Sequence, residues 1–156
     1  MKKAIIFLSF VCIFNIISCS DDTTNPGLNS VQPIIYVNEN LNTLVSDSIS
    51  ISHIDIKNNI LIIDYRYLGG CGDHQINLFA EMGFEETSPV QLNMRLVQHS
   101  FSDTCQNVIN GKAYFDLRSA ASLFKSAYHG QKGVILLTIY SSVSSGYYMP
   151  LPRYEF

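Results

Sequence analysis

The chain has 156 residues, of which 47% are hydrophobic and 15% are charged, and its formal net charge is −3 at pH 7. This length favours one domain around a single hydrophobic core. The ten Lys and Arg residues are scattered along the chain rather than gathered in one stretch. Because nucleic-acid binding needs clustered basic residues, the composition argues against a nucleic-acid partner.

The N-terminus has the layout of a secretory signal. Lys2 and Lys3 form a positive start, and residues 4–17 are apolar except for Ser9 and Asn15. The apolar stretch is too short for a stable transmembrane helix and is typical of a signal peptide.

The end of this segment, Ile16-Ile17-Ser18-Cys19, resembles the lipobox of bacterial lipoproteins. The resemblance implies cleavage after Ser18 and attachment of lipid to Cys19. It divides the chain into a signal peptide over residues 1–18, a lipidated flexible tether over 19–32 and a domain over 33–156. The polar stretch after Cys19, broken by Pro26 and Gly27, is typical of a tether.

The expected location is therefore the bacterial cell envelope, with the membrane as a partner through the lipid anchor. Asp21 and Asp22 lie just behind the lipobox cysteine, and such acidic residues resemble signals that, in some Gram-negative phyla, keep lipoproteins out of the inner membrane or send them to the cell surface. The expected membrane is therefore the outer one. The mature protein would then face the periplasm or the cell surface. Loss of Lys2 and Lys3 with the signal peptide would leave a net charge of about −5.

Strand patterns dominate the rest of the chain. The clearest is a hairpin in which residues 49–56 and 60–68 alternate in polarity around the turn Asn58-Asn59, with a bulge near Ser52-His53. Further strands are predicted over residues 33–37, 75–80, 90–96, 112–117, 133–140 and 147–156. The last of these contains Pro150 and Pro152, which suit an edge strand.

One helix is predicted over residues 119–129, with Ser119 as N-cap and Gly130 as the stop. About seven short strands and one short helix predict a single antiparallel β-sandwich. We describe it as immunoglobulin-like only loosely, since the chain has no Trp to form that family's core.

The motif Gly69-Gly70-Cys71-Gly72-Asp73-His74 and a second one, His99 to Cys105, hold the two cysteines that remain in the mature domain. The favoured interpretation is a Cys71–Cys105 disulfide, because an exported protein meets an oxidising compartment. A second interpretation is a zinc site built from both cysteines with His74 and His99. A third keeps the disulfide and binds a transition metal through His74 and His99, with Asp73 or Asp103. The three glycines are expected to supply positive φ at a corner.

No motif of a known catalytic site is present, so no catalytic residue is predicted and the protein is not expected to be an enzyme. The pair Glu85-Glu86 is expected to be a solvated turn. Aromatic residues near the C-terminus, including Tyr147 and Tyr148, could contact a glycan or a protein.

The order of these motifs resembles small lipoproteins of Gram-negative envelopes, without pointing to a named domain family. The resemblance implies a binding or accessory module at the envelope, with an unidentified envelope protein or glycan as ligand. The alternative is an envelope protein that binds a metal through His74 and His99.

Overall fold

The computed structural model describes residues 30–101, 103–143 and 146–156. The predicted signal peptide, the lipobox and Cys19 lie outside the described residues. Within the described ranges, no helix is long and apolar enough to cross a membrane.

The predicted hairpin is confirmed. Strands β3 (Ile49–Lys57) and β4 (Ile60–Gly69) pair in antiparallel register, and the register shifts between Ile51 and His53, where the bulge was expected. Asn58 and Asn59 have φ angles of 49° and 65°, the left-handed conformation that a two-residue turn requires. The alternation therefore places Leu61 and Ile63 inward, and both are fully buried.

The first of two sheets is built around this hairpin. Its strand order is β1-β7-β4-β3, where β1 is Gln32–Pro33 and β7 is Asn107–Asp116. All ten residues of β4 pair with all ten of β7. The strand β7 therefore begins five residues earlier than its own sequence predicts, because pairing with β4 outweighs the poor strand propensity of Asn110 and Gly111.

The second sheet has the order β2-β5-β6-β8-β9. Its strands are β2 (Ile35–Val37), β5 (His74–Glu81), β6 (Val90–Ser100), β8 (Val134–Tyr140) and β9 (Arg153–Glu155). The N-terminal segment thus passes from the first sheet to the second between β1 and β2.

The protein is mainly β, as predicted, but the sheets are mixed rather than wholly antiparallel. Among the strands of the described ranges, three pairings are parallel: β1 with β7, β2 with β5, and β6 with β8. The last one arises because the chain leaves the second sheet after β6, forms β7 and the helix, and returns in the same direction as β8. Such a crossover gives parallel neighbours.

Helix α1 spans Arg118–Tyr128, one residue earlier than predicted. Ser119 is not the N-cap. That position belongs to Leu117, and the Asp116 carboxylate accepts a hydrogen bond of 2.9 Å from the Arg118 N–H. At the other end His129, with φ of 55°, takes the left-handed position that Gly130 was expected to mark.

The predicted C-terminal strand is shortened to β9. Residues before it form bends and an isolated bridge between Tyr147 and Tyr140. Pro150 and Pro152 lack the N–H groups that a continuous ladder would need, which explains why the strand is shorter than predicted.

Both sheets contribute to one hydrophobic core. Buried side chains of the first sheet, such as Leu61 and Phe115, pack with Leu78, Leu92 and Leu137 of the second. The helix adds Ala120 and Ala121. This shared core fixes the two sheets relative to each other, and the chain crosses between them at the candidate site.

Candidate functional site

The two cysteines lie in adjacent connections between the sheets. Cys71 lies between β4 and β5, and Cys105 lies between β6 and β7. The neighbouring strands pair to their ends, with Gly69 opposite Asn107 and His74 opposite Ser100. The ladders therefore bring both connections side by side at one end of the molecule.

A disulfide joins Cys71 to Cys105, with the two Cα atoms 5.7 Å apart. The prediction of this bond is confirmed. The sequence separation is 34 residues, and closing a loop of that size stabilises the fold by about 4 kcal/mol in the chain-entropy model. We call the cluster formed by residues 69–74, Asp103 and Cys105 the disulfide corner.

Asp103 is the centre of the disulfide corner. Its Oδ2 atom accepts hydrogen bonds from the backbone N–H groups of Gly70, Cys71 and Gly72 at 2.6, 3.0 and 3.3 Å. The same atom lies 2.7 Å from His74 Nε2, and Oδ1 accepts from the Cys105 N–H at 2.8 Å. The side chain is 1% exposed. The carboxylate thus fills a nest of backbone donors.

The hydrogen bond from His74, followed by those from the backbone of Cys105, Cys71 and Gly70, holds the pKa of the Asp103 carboxyl well below its usual range. Each of these donors favours the charged form of the group. Asp103 is therefore ionised at neutral pH.

Two glycines have specific reasons to be present. A Cβ on Gly69 would lie 2.8 Å from Asp103 Oδ2 and 2.8 Å from His74 Nε2, so this position must stay open. Gly70 has a φ of +109°, which other residues rarely adopt. The expectation of positive φ at all three glycines holds for Gly70 alone among them.

His74 has a partner on each ring nitrogen. Nδ1 lies 2.7 Å from Gln98 Nε2, and Nε2 lies 2.7 Å from Asp103 Oδ2. As an amide NH₂ group can only donate, this arrangement gives His74 its proton on Nε2, from which it donates to Asp103. The ring packs on Tyr67, with centroids 4.4 Å apart, and its side chain is 7% exposed.

Gln98 is a site residue that the sequence reasoning missed. It is 1% exposed, and its Oε1 atom has no hydrogen-bond partner among the described residues. Gln98 continues the inward series Met94 and Leu96 on β6. A polar residue in an inward position of an alternating strand was the available signal.

His99 does not join His74. It pairs with Gln75, whereas His74 pairs with Ser100, and successive residues of a strand point to opposite faces. Asp73 is exposed, and its backbone carbonyl accepts from the Phe101 N–H at 3.2 Å. Of the predicted ligand set His74, His99, Asp73 and Asp103, the structure brings only His74 and Asp103 together.

A different group could hold a metal. Ligand atoms of Cys71, Asp103 and Cys105 lie within 4.8 Å of one another, and His74 adjoins them through Asp103. With the sulfurs bonded to each other, neither is a thiolate, so the oxidised corner offers a carboxylate and an imidazole that already bind each other.

A cleft of about 270 Å³ lies on the first sheet near the start of β3. Three aliphatic side chains that line it, Leu68, Val108 and Val143, are between 53% and 59% exposed. Its other lining residues are Ser48, Ser50, Arg66 and Tyr67. We call this surface the aliphatic cleft. Large side chains left this exposed in one place are a mark of binding surfaces.

A second cavity, of about 570 Å³, is bordered by four carboxylates, those of Glu39, Glu81, Glu85 and Glu86. Asn93 Nδ2 donates to Glu81 at 3.0 Å and to Glu85 at 2.9 Å, and the Tyr128 hydroxyl donates to Glu86 at 3.0 Å. Glu85 and Glu86 are exposed, as expected of a solvated turn, and their carboxylates also accept hydrogen bonds from Asn93 and Tyr128.

The fold is similar to solved structures from Bacteroides species. A NigD-like immunity protein from Bacteroides caccae ATCC 43185 matches with a TM-score of 0.53 and 15% sequence identity, over 81% of this chain and 63% of that one. A candidate lipoprotein from Bacteroides fragilis NCTC 9343 matches with a TM-score of 0.50 and 7% identity, over 81% of this chain and 68% of that one. This chain thus spans less than two thirds of the length of the immunity protein.

At these identities the likeness concerns the fold alone. No protein-family model and no curated protein matches the sequence.

Proposed function

We propose that the protein is a lipid-anchored envelope lipoprotein whose β domain binds an extended segment of a partner protein at the aliphatic cleft. The lipobox around Cys19 and the polar stretch behind it support the anchor. The Cys71–Cys105 bond supports an exported location. The likeness to a candidate lipoprotein agrees with both, although it rests on the fold.

The disulfide corner supports a structural role in its oxidised form. Both nitrogens of His74 and both oxygens of Asp103 already have partners within the protein. A general base needs a free lone pair directed at a substrate proton. His74 and Asp103 have no lone pair or proton free for a substrate, so we assign them the role of stabilising the two connections between the sheets. This favours a binding module over an enzyme.

The aliphatic cleft is the observation that carries the binding proposal. Burial of Leu68, Val108 and Val143 against a partner removes apolar surface from water, which is favourable by about 25 cal/mol per Å². The cleft is small, at about 270 Å³, so it fits one or two side chains of a segment rather than a whole drug-sized ligand.

The charge at the cleft indicates what the segment carries. Arg66 lines the cleft and forms no ion pair within the part of the chain that the structure describes. We therefore assign to the partner an aliphatic side chain followed by a carboxylate, which Arg66 would bind.

The test is photo-crosslinking from the full-length chain in its own envelope. A photoreactive residue replaces Val108 or, separately, Val143, and the matched control replaces Val45, which is 80% exposed and does not line the cleft. We expect one protein adduct of the same mass from both cleft positions, absent from the Val45 control and lost when Arg66→Glu is added.

Equal adducts from Val45 and Val143 would overturn the proposal, and so would an adduct that persists in Arg66→Glu. An adduct that resists protease but disappears with glycosidase would instead identify a glycan as the ligand.

A further inference from the structure

The side chains around Asp103 include possible metal ligands, but two of them, the cysteine sulfurs, are bonded to each other in the disulfide. We propose that reduction of the Cys71–Cys105 bond opens a four-coordinate zinc site made of the two cysteine sulfurs, Asp103 and His74 Nε2. This inference does not depend on the proposed binding at the aliphatic cleft. It also replaces His99, which lies on the other face of the sheet, as a candidate ligand.

Three of the four ligands already lie close together, and His74 adjoins them through Asp103. Zinc binds sulfur at about 2.3 Å and nitrogen or oxygen at about 2.0–2.2 Å, so neighbouring ligands of a tetrahedral site lie about 3.4–3.8 Å apart. The three ligand atoms of Cys71, Asp103 and Cys105 lie within 4.8 Å of one another. His74 Nε2 lies 2.7 Å from Asp103 Oδ2 but outside that group, so the sulfurs must turn toward it to complete the site. Once the bond is broken, rotation about the cysteine side-chain bonds is the motion that would separate the sulfurs and turn them toward His74.

The chemistry of the donors selects the metal. Two thiolates, one imidazole and one carboxylate suit zinc, whereas Mg²⁺ and Ca²⁺ require oxygen ligands. Cys71 is an exposed residue in the connection between β4 and β5. The carboxylate is already held in place by backbone donors at Gly70 and Cys105.

Gln98 gives an independent reason to assign His74 as a metal ligand. A zinc-bound His usually donates its other ring N–H to an oxygen. The buried Gln98 Oε1 atom lacks a partner among the described residues, while the amide nitrogen of the same group contacts His74 Nδ1. If the amide rotates by half a turn, Oε1 accepts a hydrogen bond from His74 Nδ1–H, which leaves Nε2 free to bind the metal.

The step is balanced with a dithiol as reductant. Two electrons and two protons pass from the dithiol to the protein disulfide, which gives two cysteine thiols and one oxidised dithiol. Zinc binding then releases the two thiol protons to solvent. His74 stays neutral, because the proton that leaves Nε2 is replaced by one on Nδ1.

The test uses the full-length chain, processed in a Gram-negative host and purified in detergent, in oxidised and reduced forms. Zinc content per chain is measured after removal of free metal, and Co²⁺ is used as a spectroscopic probe for thiolate bonds. We expect one zinc in the reduced chain, none in the oxidised chain, and thiolate-to-cobalt absorption in the reduced chain alone.

Matched variants locate the ligands. His74→Ala and Asp103→Ala should each abolish stoichiometric zinc binding, and Gln98→Ala should weaken it by about 10–100-fold. His99→Ala should leave zinc binding unchanged.

Circular dichroism measured on the same samples monitors folding. If the reduced chain is unfolded, added zinc should restore the native spectrum. The proposal is overturned by a reduced chain that binds no zinc, by an unfolded chain that zinc does not refold, or by binding that survives His74→Ala.

Discussion

Asp103 contributes to the fold through its charge and its position together. Five donors converge on one carboxylate, three of them backbone N–H groups of consecutive residues. Because these donors favour the ionised form, the pKa of the Asp103 carboxyl is lower in the folded chain than in the unfolded one. The residue therefore links pH to stability at this end of the molecule.

The sign of the pH effect follows from the lowered pKa of Asp103. Its contribution to stability is fully present above the pKa of the unfolded chain, near 4, and is lost as the pH falls through the lower folded value. We expect the free energy of unfolding, measured with urea from pH 6 to pH 2.5, to fall less steeply below pH 4 in Asp103→Asn than in the unaltered chain.

Asp73→Asn, which changes an exposed neighbour, should retain the full decline. A difference of slope that appears only above pH 5 would contradict the assignment. The comparison of slopes is needed because Asp47, Asp55 and Asp116 also have lowered pKa values and contribute to both curves.

Gly69 gives a second prediction at this scale. In Gly69→Ala the new methyl group meets Asp103 and His74 at 2.8 Å, and neither side chain can move without breaking hydrogen bonds. We expect a loss of about 1–3 kcal/mol in the free energy of unfolding, typical of an overpacked site.

The matched control is Gly83→Ala, where an added Cβ meets nothing within 4 Å and φ is not in the left-handed range. Denaturant unfolding of both variants measures the difference. If Gly69→Ala and Gly83→Ala lower the free energy of unfolding equally, the added methyl group does not clash in the disulfide corner.

Among the elements, the β3–β4 hairpin does more than reverse the chain. The Asn59 side chain accepts a 2.9 Å hydrogen bond from the hydroxyl of Tyr154, which is 2% exposed, and the Asn59 carbonyl accepts from the Leu117 N–H at 2.8 Å. The turn of the first sheet is thus tied to β9 of the second sheet and to the start of the helix.

A pair of substitutions in the turn separates these roles. Asn59→Gly keeps the positive φ and the backbone carbonyl but removes the acceptor of the Tyr154 hydroxyl, so we expect a loss of about 1–3 kcal/mol. Asn58→Gly relieves a positive φ and should change stability by less than about 0.5 kcal/mol.

Thermal or urea unfolding of the two variants is the measurement. A larger loss in Asn58→Gly than in Asn59→Gly would mean that the turn conformation, and not its link to β9, carries the stability.

The hairpin also shows how far the sequence determines the fold. Local signals, namely two asparagines and an alternation that slips by one residue, predicted the two strands, the turn and the bulge. The parallel pairing of β6 with β8 could not be predicted, because it depends on which strands the long crossover brings together. The early start of β7 has the same origin, since it is decided by its partner β4.

The disulfide corner, like the hairpin, could be predicted from the sequence only in part. The Cys71–Cys105 bond followed from the compartment and the count of cysteines. The role of Asp103 did not, since its main partners are backbone N–H groups, which every residue except proline carries. Strand register places His99 on the opposite face from His74, so the two imidazoles that the sequence grouped do not lie together.

For the whole molecule, the proposed anchor makes a direct prediction. Metabolic labelling with palmitate should label the full-length chain, and Cys19→Ser should abolish both the label and membrane recovery. Cys12→Ser should change neither, because Cys12 lies in the segment that the lipobox predicts to be removed. Persistent label in Cys19→Ser would contradict the anchor.

The path of the N-terminal segment has a mechanical consequence if the chain is held at a membrane by its N-terminus. Tension along the tether acts first on β1 and β2, which are paired over only two and three residues. These pairings would yield under a load that the ten-residue β4–β7 ladder and the covalent staple resist. Detachment of β1 and β2 would expose the edge strands β7 and β5 at the same time. The unpaired N–H and C=O groups of these two strands could then pair with a strand of another chain.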